Sequence, residues 1–162
     1  MGWLSEPVER LLEVALVGEL TVIGRRGQPV THPLIPLYDG ERIYLHSSTL
    51  FSKKLEHIKR NPRVALSLSD PVALKGLTDR ATIQGTARVI EDDPHEQWVG
   101  LVLDLWRRKE PVIDAFLKAR VALPLFFERA VIEITPERCL LWPDGDTSRP
   151  PIVTTPPAEV AA

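Results

Sequence analysis

Residues 46–68, HSSTLFSKKLEHIKRNPRVALSL, decide how the rest of the chain is read. An apolar strand end (Ile43, Tyr44, Leu45) leads into Ser47-Ser48-Thr49, a short basic helix follows, and Asn61-Pro62 stops it before a new strand. With the helix starting near Leu50 and capped by Thr49 or Ser48, Phe51, Leu55 and Ile58 form one apolar stripe. Lys53 and Arg60 then point away from that stripe and Lys54 sits at its margin, better placed to lean back over the fold. A helix start offers backbone N–H groups without intrahelical partners and a partial positive charge, so it attracts anions. Short surface helices with lysines are also common, and Ser-Thr at a helix start is ordinary capping. The stretch by itself leaves both readings open.

Upstream, Ser5 is expected to cap a helix whose apolar residues Val8, Leu11, Leu12, Ala15 and Leu16 recur at helical spacing, with Pro7 tolerated in the first turn and Gly18 ending it. ELTVIG reads as a strand, Arg25-Arg26-Gly27-Gln28 as a turn, and PVTHPLIPLY as a second strand, followed by Asp39-Gly40 and RIYLHS. Prolines 29, 33 and 36 cannot donate ladder hydrogen bonds, so that second strand should lie at an edge, be bulged, or face something other than a neighbouring strand.

Downstream, PRVALSLS is a strand, residues 70–78 a loop around Gly76, and RATIQGTARVIED a longer strand in which Gly85 marks a bulge or bend. Asp92-Asp93-Pro94 opens a helix through EQWVGLVLDLW, PVIDAFLKARVA forms another, and ERAVIEITPERCLLW supplies the two closing strands. The expected architecture is mainly β with peripheral helices, about six antiparallel strands closing into a small barrel that hides their edges. Residues 1–142 make one domain; the proline-rich segment 143–162 has little apolar surface and is expected to be a disordered or loosely docked tail.

Composition sets the limits. In 162 residues, 20 basic against 22 acidic side chains leave a net charge of −2, which argues against general nucleic-acid or membrane-surface binding and makes any electrostatic site a local one. A single cysteine excludes an internal disulfide framework, and no window approaches the roughly 20 apolar residues of a membrane span. The acidic start MGWLSEPVER lacks the pattern of a signal peptide, so a cytoplasmic protein is expected. Four histidines and one cysteine show no metal-ligand spacing, and Gly24 to Gly27 no phosphate-loop pattern. His46 reads as a polar strand-end residue or a cofactor contact, and His57 and His95 as solvent-facing helix residues. Trp98, Trp106, Phe116, Phe126 and Phe127 read as helix packing rather than a substrate cage.

The order of these pieces resembles the flavin-binding split-barrel superfamily, the group of pyridoxamine 5'-phosphate oxidase and its deazaflavin-using relatives. The matching pieces are Arg26-Gly27-Gln28-Pro29, Asp39-Gly40, the helix carrying Lys53-Lys54, Asn61-Pro62-Arg63-Val64-Ala65-Leu66, Gln84-Gly85-Thr86-Ala87-Arg88 and the closing strands. The resemblance implies a six-stranded split barrel and an FMN-binding oxidoreductase, with the deazaflavin coenzyme as the alternative cofactor. A non-catalytic flavin or haem binding or stress protein is the alternative function. It implies that Ser47, Ser48, Thr49, Lys53 and Lys54 hold the cofactor phosphate, that His32, Pro33, Leu34 and Ile35 lie along the ring, and that Arg80 is a polar flavin contact. It also implies a homodimer with the cofactor between subunits. Relatives often carry arginine at the position of Lys53 and glutamine at that of Arg80. Pyridoxamine 5'-phosphate oxidase proper ends in a tryptophan- and arginine-rich segment, whereas here Trp142 is followed by PDGDTSRPP, which argues against pyridoxine phosphate as substrate.

Overall fold

A computed structural model describes residues 2–48, 52–91, 102–118 and 129–158. Their elements are α1 (Glu6–Val14), β1 (Gly18–Ile23), β2 (Pro29–Leu34), β3 (Leu37–Tyr38), β4 (Ile43–Ser48), α2 (Lys53–Arg60), β5 (Arg63–Leu68) and β6 (Arg80–Ile90). After these come α3 (Leu103–Lys109), α4 (Ile113–Lys118), β7 (Arg129–Trp142) and β8 (Ile152–Thr154). Every strand pairing is antiparallel, in the order β2-β1-β5-β6-β7-β4-β3, with β8 on β7.

The proline-rich segment explains how this sheet curls. β2 and β3 occupy opposite ends of the strand order yet are separated only by Ile35 and Pro36. The chain itself therefore carries one sheet edge round to the other, as a split barrel requires. Pro29 and Pro33 sit on the edge strand β2, where a missing N–H costs least, and Pro36 sits at the break. Lys109 of α3 fixes the break from outside: its Nζ donates to Pro36 O, to Leu12 O at 2.7 Å and to Ala15 O at 2.8 Å. The same ammonium thus supplies donors to two carbonyls at the C-terminal end of α1. Burial pushes it down to about 7, Lys75 adds to that, and Glu110 and Glu13 pull the other way.

Alternation along the strands divides the apolar residues between two cores. The barrel interior takes Leu20 and Val22 of β1, Ile43 and Leu45 of β4, Val64, Leu66 and Leu68 of β5, Ile83 of β6 and Ile132 and Ile134 of β7, sealed by α1 and by Leu55 and Ile58 of α2. A second, outer cluster joins Leu37, Tyr44 and Val131 to Val102, Leu103 and Leu105 next to α3 and to Ile113 of α4. Burying an aliphatic side chain is worth about 1.5–3 kcal/mol, so both cores hold the sheet's curvature, one from within and one from without.

Several expectations are refined. The first helix ends at Val14, and Gly18 opens β1 instead. Arg129–Trp142, RAVIEITPERCLLW, is one continuous strand, β7, where two were expected, and it is long enough to serve β6 on one side and both β4 and β8 on the other. The eight strands among the described residues are six longer ones plus the short β3 and β8. Part of the proline-rich C-terminal segment, Ile152–Thr154, pairs with Cys139–Leu141. The expected bulge is present: the β6–β7 register shifts between Gln84 and Gly85. A Cβ on Gly85 would lie 2.1 Å from Thr135 O, so only glycine lets β7 approach there. No helix among the described residues is long and apolar enough to cross a membrane.

Candidate functional site

α2 begins at Lys53 with Ser52 as its N-cap, so neither Ser48 nor Thr49 caps it as the sequence suggested. The reason lies in the hydroxyls. Ser52 makes no side-chain cap bond; its Oγ is instead 2.8 Å from Ser47 Oγ, and Lys54 Nζ donates to the same Ser47 Oγ at 3.0 Å. The last inward-facing residue of β4 and the first turn of α2 are thereby tied together, with the helix's first N–H groups left without a side-chain acceptor from Ser52.

The two lysines differ as helix geometry requires. Leu55 and Ile58 point into the barrel core; Lys54 beside them is half-buried, while Lys53 is exposed. Burial lowers the Lys54 pKa, and among the described residues Lys54 is in no ion pair. A partly desolvated ammonium with a hydroxyl but no carboxylate beside it is costly unless an anion arrives.

His32 joins this cluster from β2. It lies on the strand's inner face with Val30 and Leu34, both packed on the barrel core. Its pKa is lowered by burial first, then by the charge of Lys54 and then by His57. His57 stands one turn after Lys54 on the same helix face. Nε2 of His32 and Nδ1 of His57 are both buried with no hydrogen-bond partner among the described residues. The sequence placed His57 in solvent, and neither it nor Ser52 was singled out. A possible signal was the spacing from Lys54 to His57, which puts the two on one face.

The other expected residues lie elsewhere. Pro33 is exposed on the outer face of β2, Leu34 packs on the barrel core and Ile35 on the outer cluster, so His32 to Ile35 do not present one common surface. Ser48 ends β4, paired with Arg129, and Thr49 lies outside the described residues. Arg80 starts β6 opposite Trp142, whereas the Ser47 end of β4 meets β7 near Val131, which pairs with Ile90. Ten residues of strand separate Arg80 from Ile90, on the order of 30 Å. Within one chain Arg80 does not reach the cluster.

His46, adjacent to Ser47, faces the other way. It is buried, with its ring 5.0 Å from that of Trp106 and tilted by 30°. Trp106 therefore acts in packing; Trp98, Phe126 and Phe127 and the Asp92-Asp93-Pro94 helix start lie outside the described residues, and the Phe116 side chain is not described. Cys139 is buried and burial pushes its thiol up to about 11, which makes it a poor nucleophile. No group of three or more metal-ligating side chains occurs among the described residues. A cavity of about 410 Å³ opens between α1, β3 and α3, lined by Glu9, Tyr38, Asp39 and Arg108 among others. It shares no residue with the Ser47–Lys54 cluster.

Comparison with known proteins agrees with the fold. No curated protein matches the chain by sequence. Among solved structures, a protein described as an F420 reductase is 25% identical, covering 84% of this chain and 98% of its own, with a TM-score of 0.60. A conserved hypothetical protein of Mycobacterium tuberculosis is 22% identical over 96% of this chain and 94% of its own (TM-score 0.65). The haem storage protein HutZ of Vibrio cholerae is 18% identical over 85% and 92% (TM-score 0.60). The last two likenesses are of fold alone. The family model described as pyridoxamine 5'-phosphate oxidase matches residues 4–143, nearly the whole of the barrel, and the chain belongs to that family.

Proposed function

We propose that the chain is an FMN-binding oxidoreductase of the pyridoxamine 5'-phosphate oxidase-like type, acting as a cytoplasmic homodimer with one cofactor in each groove between subunits. The observation that carries this reading is Lys54: a half-buried ammonium, 3.0 Å from Ser47 Oγ and in no ion pair among the described residues, at the open start of a helix. The residues suit a phosphate. An ammonium, the hydroxyls of Ser47 and Ser52 and the first N–H groups of α2 can all donate, and two buried imidazole nitrogens, of His32 and His57, have no hydrogen-bond partner among the described residues. Ser48, Thr49 and Lys53, neighbours of these donors in the sequence, complete the proposed phosphate contacts.

His32 and the chain through Pro33, Leu34 and Ile35 then border the ring. Arg80, far along β6 in its own chain, serves the groove of the second subunit. When bound, the flavin supplies the hydride or electron transfer; the protein binds it, orients it and excludes water. The substrate class stays open, and the segment after Trp142 offers no cluster of basic residues for a second phosphate.

The deazaflavin coenzyme is the second reading, favoured by the likeness to the protein described as an F420 reductase. Its phosphate would use the same donors. The absorbance spectrum of the protein purified from its own host separates FMN, deazaflavin and haem. Titration of the cofactor-free protein with FMN at micromolar concentration should quench flavin fluorescence, and no change in that signal would overturn the primary reading.

A further inference from the structure

The phosphate reading uses Lys54 and the serines as donors but assigns no proton to the buried ring nitrogens of His32 and His57. Both imidazoles carry a buried ring nitrogen that no described group satisfies, and an orphaned buried polar atom costs roughly 1–3 kcal/mol. They come from different elements, β2 and α2; His57 lies one turn from Lys54, and His32 is within electrostatic reach of both.

We propose that His32 and His57 are the proton-accepting half of the Lys54 site: docking of a phosphate dianion draws about one proton from solvent onto this imidazole pair. The inference rests on the reading of the cluster as a phosphate site. In the free protein burial, and then the charge of Lys54, disfavour a protonated His32. A dianion reverses the local field, and a protonated imidazole donates from both ring nitrogens, which gives the buried one an acceptor. The reaction balances as neutral imidazole, one proton and phosphate dianion going to an imidazolium–phosphate pair, with no bond made or broken in the ligand.

The surroundings of His32 allow this. From α2 it faces Lys54 and His57. From β1 the residue opposite is Leu20, and its own inner-face neighbours are Val30 and Leu34. Glu19 of β1 pairs with Pro33 and is exposed on the other face. Among the described residues no carboxylate contributes to the His32 environment.

The test is isothermal titration of FMN into the cofactor-free protein at about pH 7.5, in buffers of differing ionisation enthalpy. There a phosphate ester with a second pKa of about 6 is already dianionic. The expected result is uptake of close to one proton per FMN, with affinity weakening up to about tenfold from pH 7.5 to 8.5. His32→Gln and His57→Gln keep polar side chains that do not titrate; one or both should cut the uptake by more than half and flatten the pH dependence. FMN binding without buffer dependence, or uptake unchanged in both variants, overturns the proposal while leaving the phosphate site standing. Failure of both FMN and inorganic pyrophosphate to bind at any pH overturns the site reading, and the proposal with it.

Discussion

Replacing Lys54 by methionine keeps the apolar stem and removes only the ammonium, so it tests the proposed site with little change in packing. The lost interaction is a charge-assisted hydrogen bond from a half-buried donor, worth about 1.5–3 kcal/mol, or about 10- to 150-fold in the FMN dissociation constant. Lys53 is exposed on the neighbouring helix position. An exposed charge near a helix start contributes about 0.3–1 kcal/mol, so Lys53→Met should weaken FMN by about fivefold at most. Flavin fluorescence quenching measures both.

The free protein gives an opposite and equally specific expectation. Burial lowers the Lys54 pKa, which means that its charged form is held there at a cost. Removing it should leave the melting temperature of the cofactor-free protein unchanged or raise it, each 1 kcal/mol being about 2–4 °C in a chain of this size. A loss of affinity together with a lower melting temperature, or an equal loss in the two lysine variants, would refute the argument from the helix face.

Three further outcomes can be checked on the same protein. The lowered His32 pKa means that the unfolded chain binds more protons below the ordinary value of 6.5. The cofactor-free protein should therefore lose stability as pH falls from 6.5 through the lowered folded value, and His32→Gln should flatten that slope in urea titrations. Lys109→Met strips donors from three backbone carbonyls and should cost about 2–4 kcal/mol in urea unfolding; a loss below about 1 kcal/mol would show that water replaces the clamp. Gly85→Ala pushes a methyl group into Thr135 O and should cost at least about 1–3 kcal/mol, whereas a neutral result would mean that the bulge relaxes freely.

Much of the fold is legible in the sequence because it depends on backbone chemistry that particular residues declare. Three prolines in PVTHPLIPLY can only belong to an edge or a break, and the structure has both, with β2 at one edge and Pro36 between β2 and β3. Gly85 in a β-branched run announces the bulge that a Cβ would forbid. The site is less legible. Ser47 and the two lysines follow from local order, but that Ser52 makes no side-chain cap bond and binds the Ser47 hydroxyl instead depends on a contact across a turn. His32 is 25 residues upstream of His57, and only closure of the barrel brings the edge strand to α2. Arg80 shows the converse: its place in the chain order suggests proximity, and the strand's length carries it away.

The whole arrangement turns on the register of β4. Ser47 faces inward to Lys54, and His46 faces outward to Trp106, so the strand's alternation alone assigns one residue to the anion cluster and its neighbour to packing. A slip of one residue against β7 would exchange them and turn a buried imidazole toward an ammonium. Three features oppose the slip: the pairing of Leu45 with Ile132, the burial of Tyr44 in the outer cluster, and the hydrogen bond of its hydroxyl to Asp39 Oδ2 at 2.9 Å. Asp39 in turn accepts from the backbone N–H groups of Glu41 and Arg42, holding the turn in which Gly40 takes φ 107°. The position of Ser47 at the start of the site is thus fixed by a turn residue eight positions earlier, through a strand whose side chains would all change face if that turn changed length by one residue.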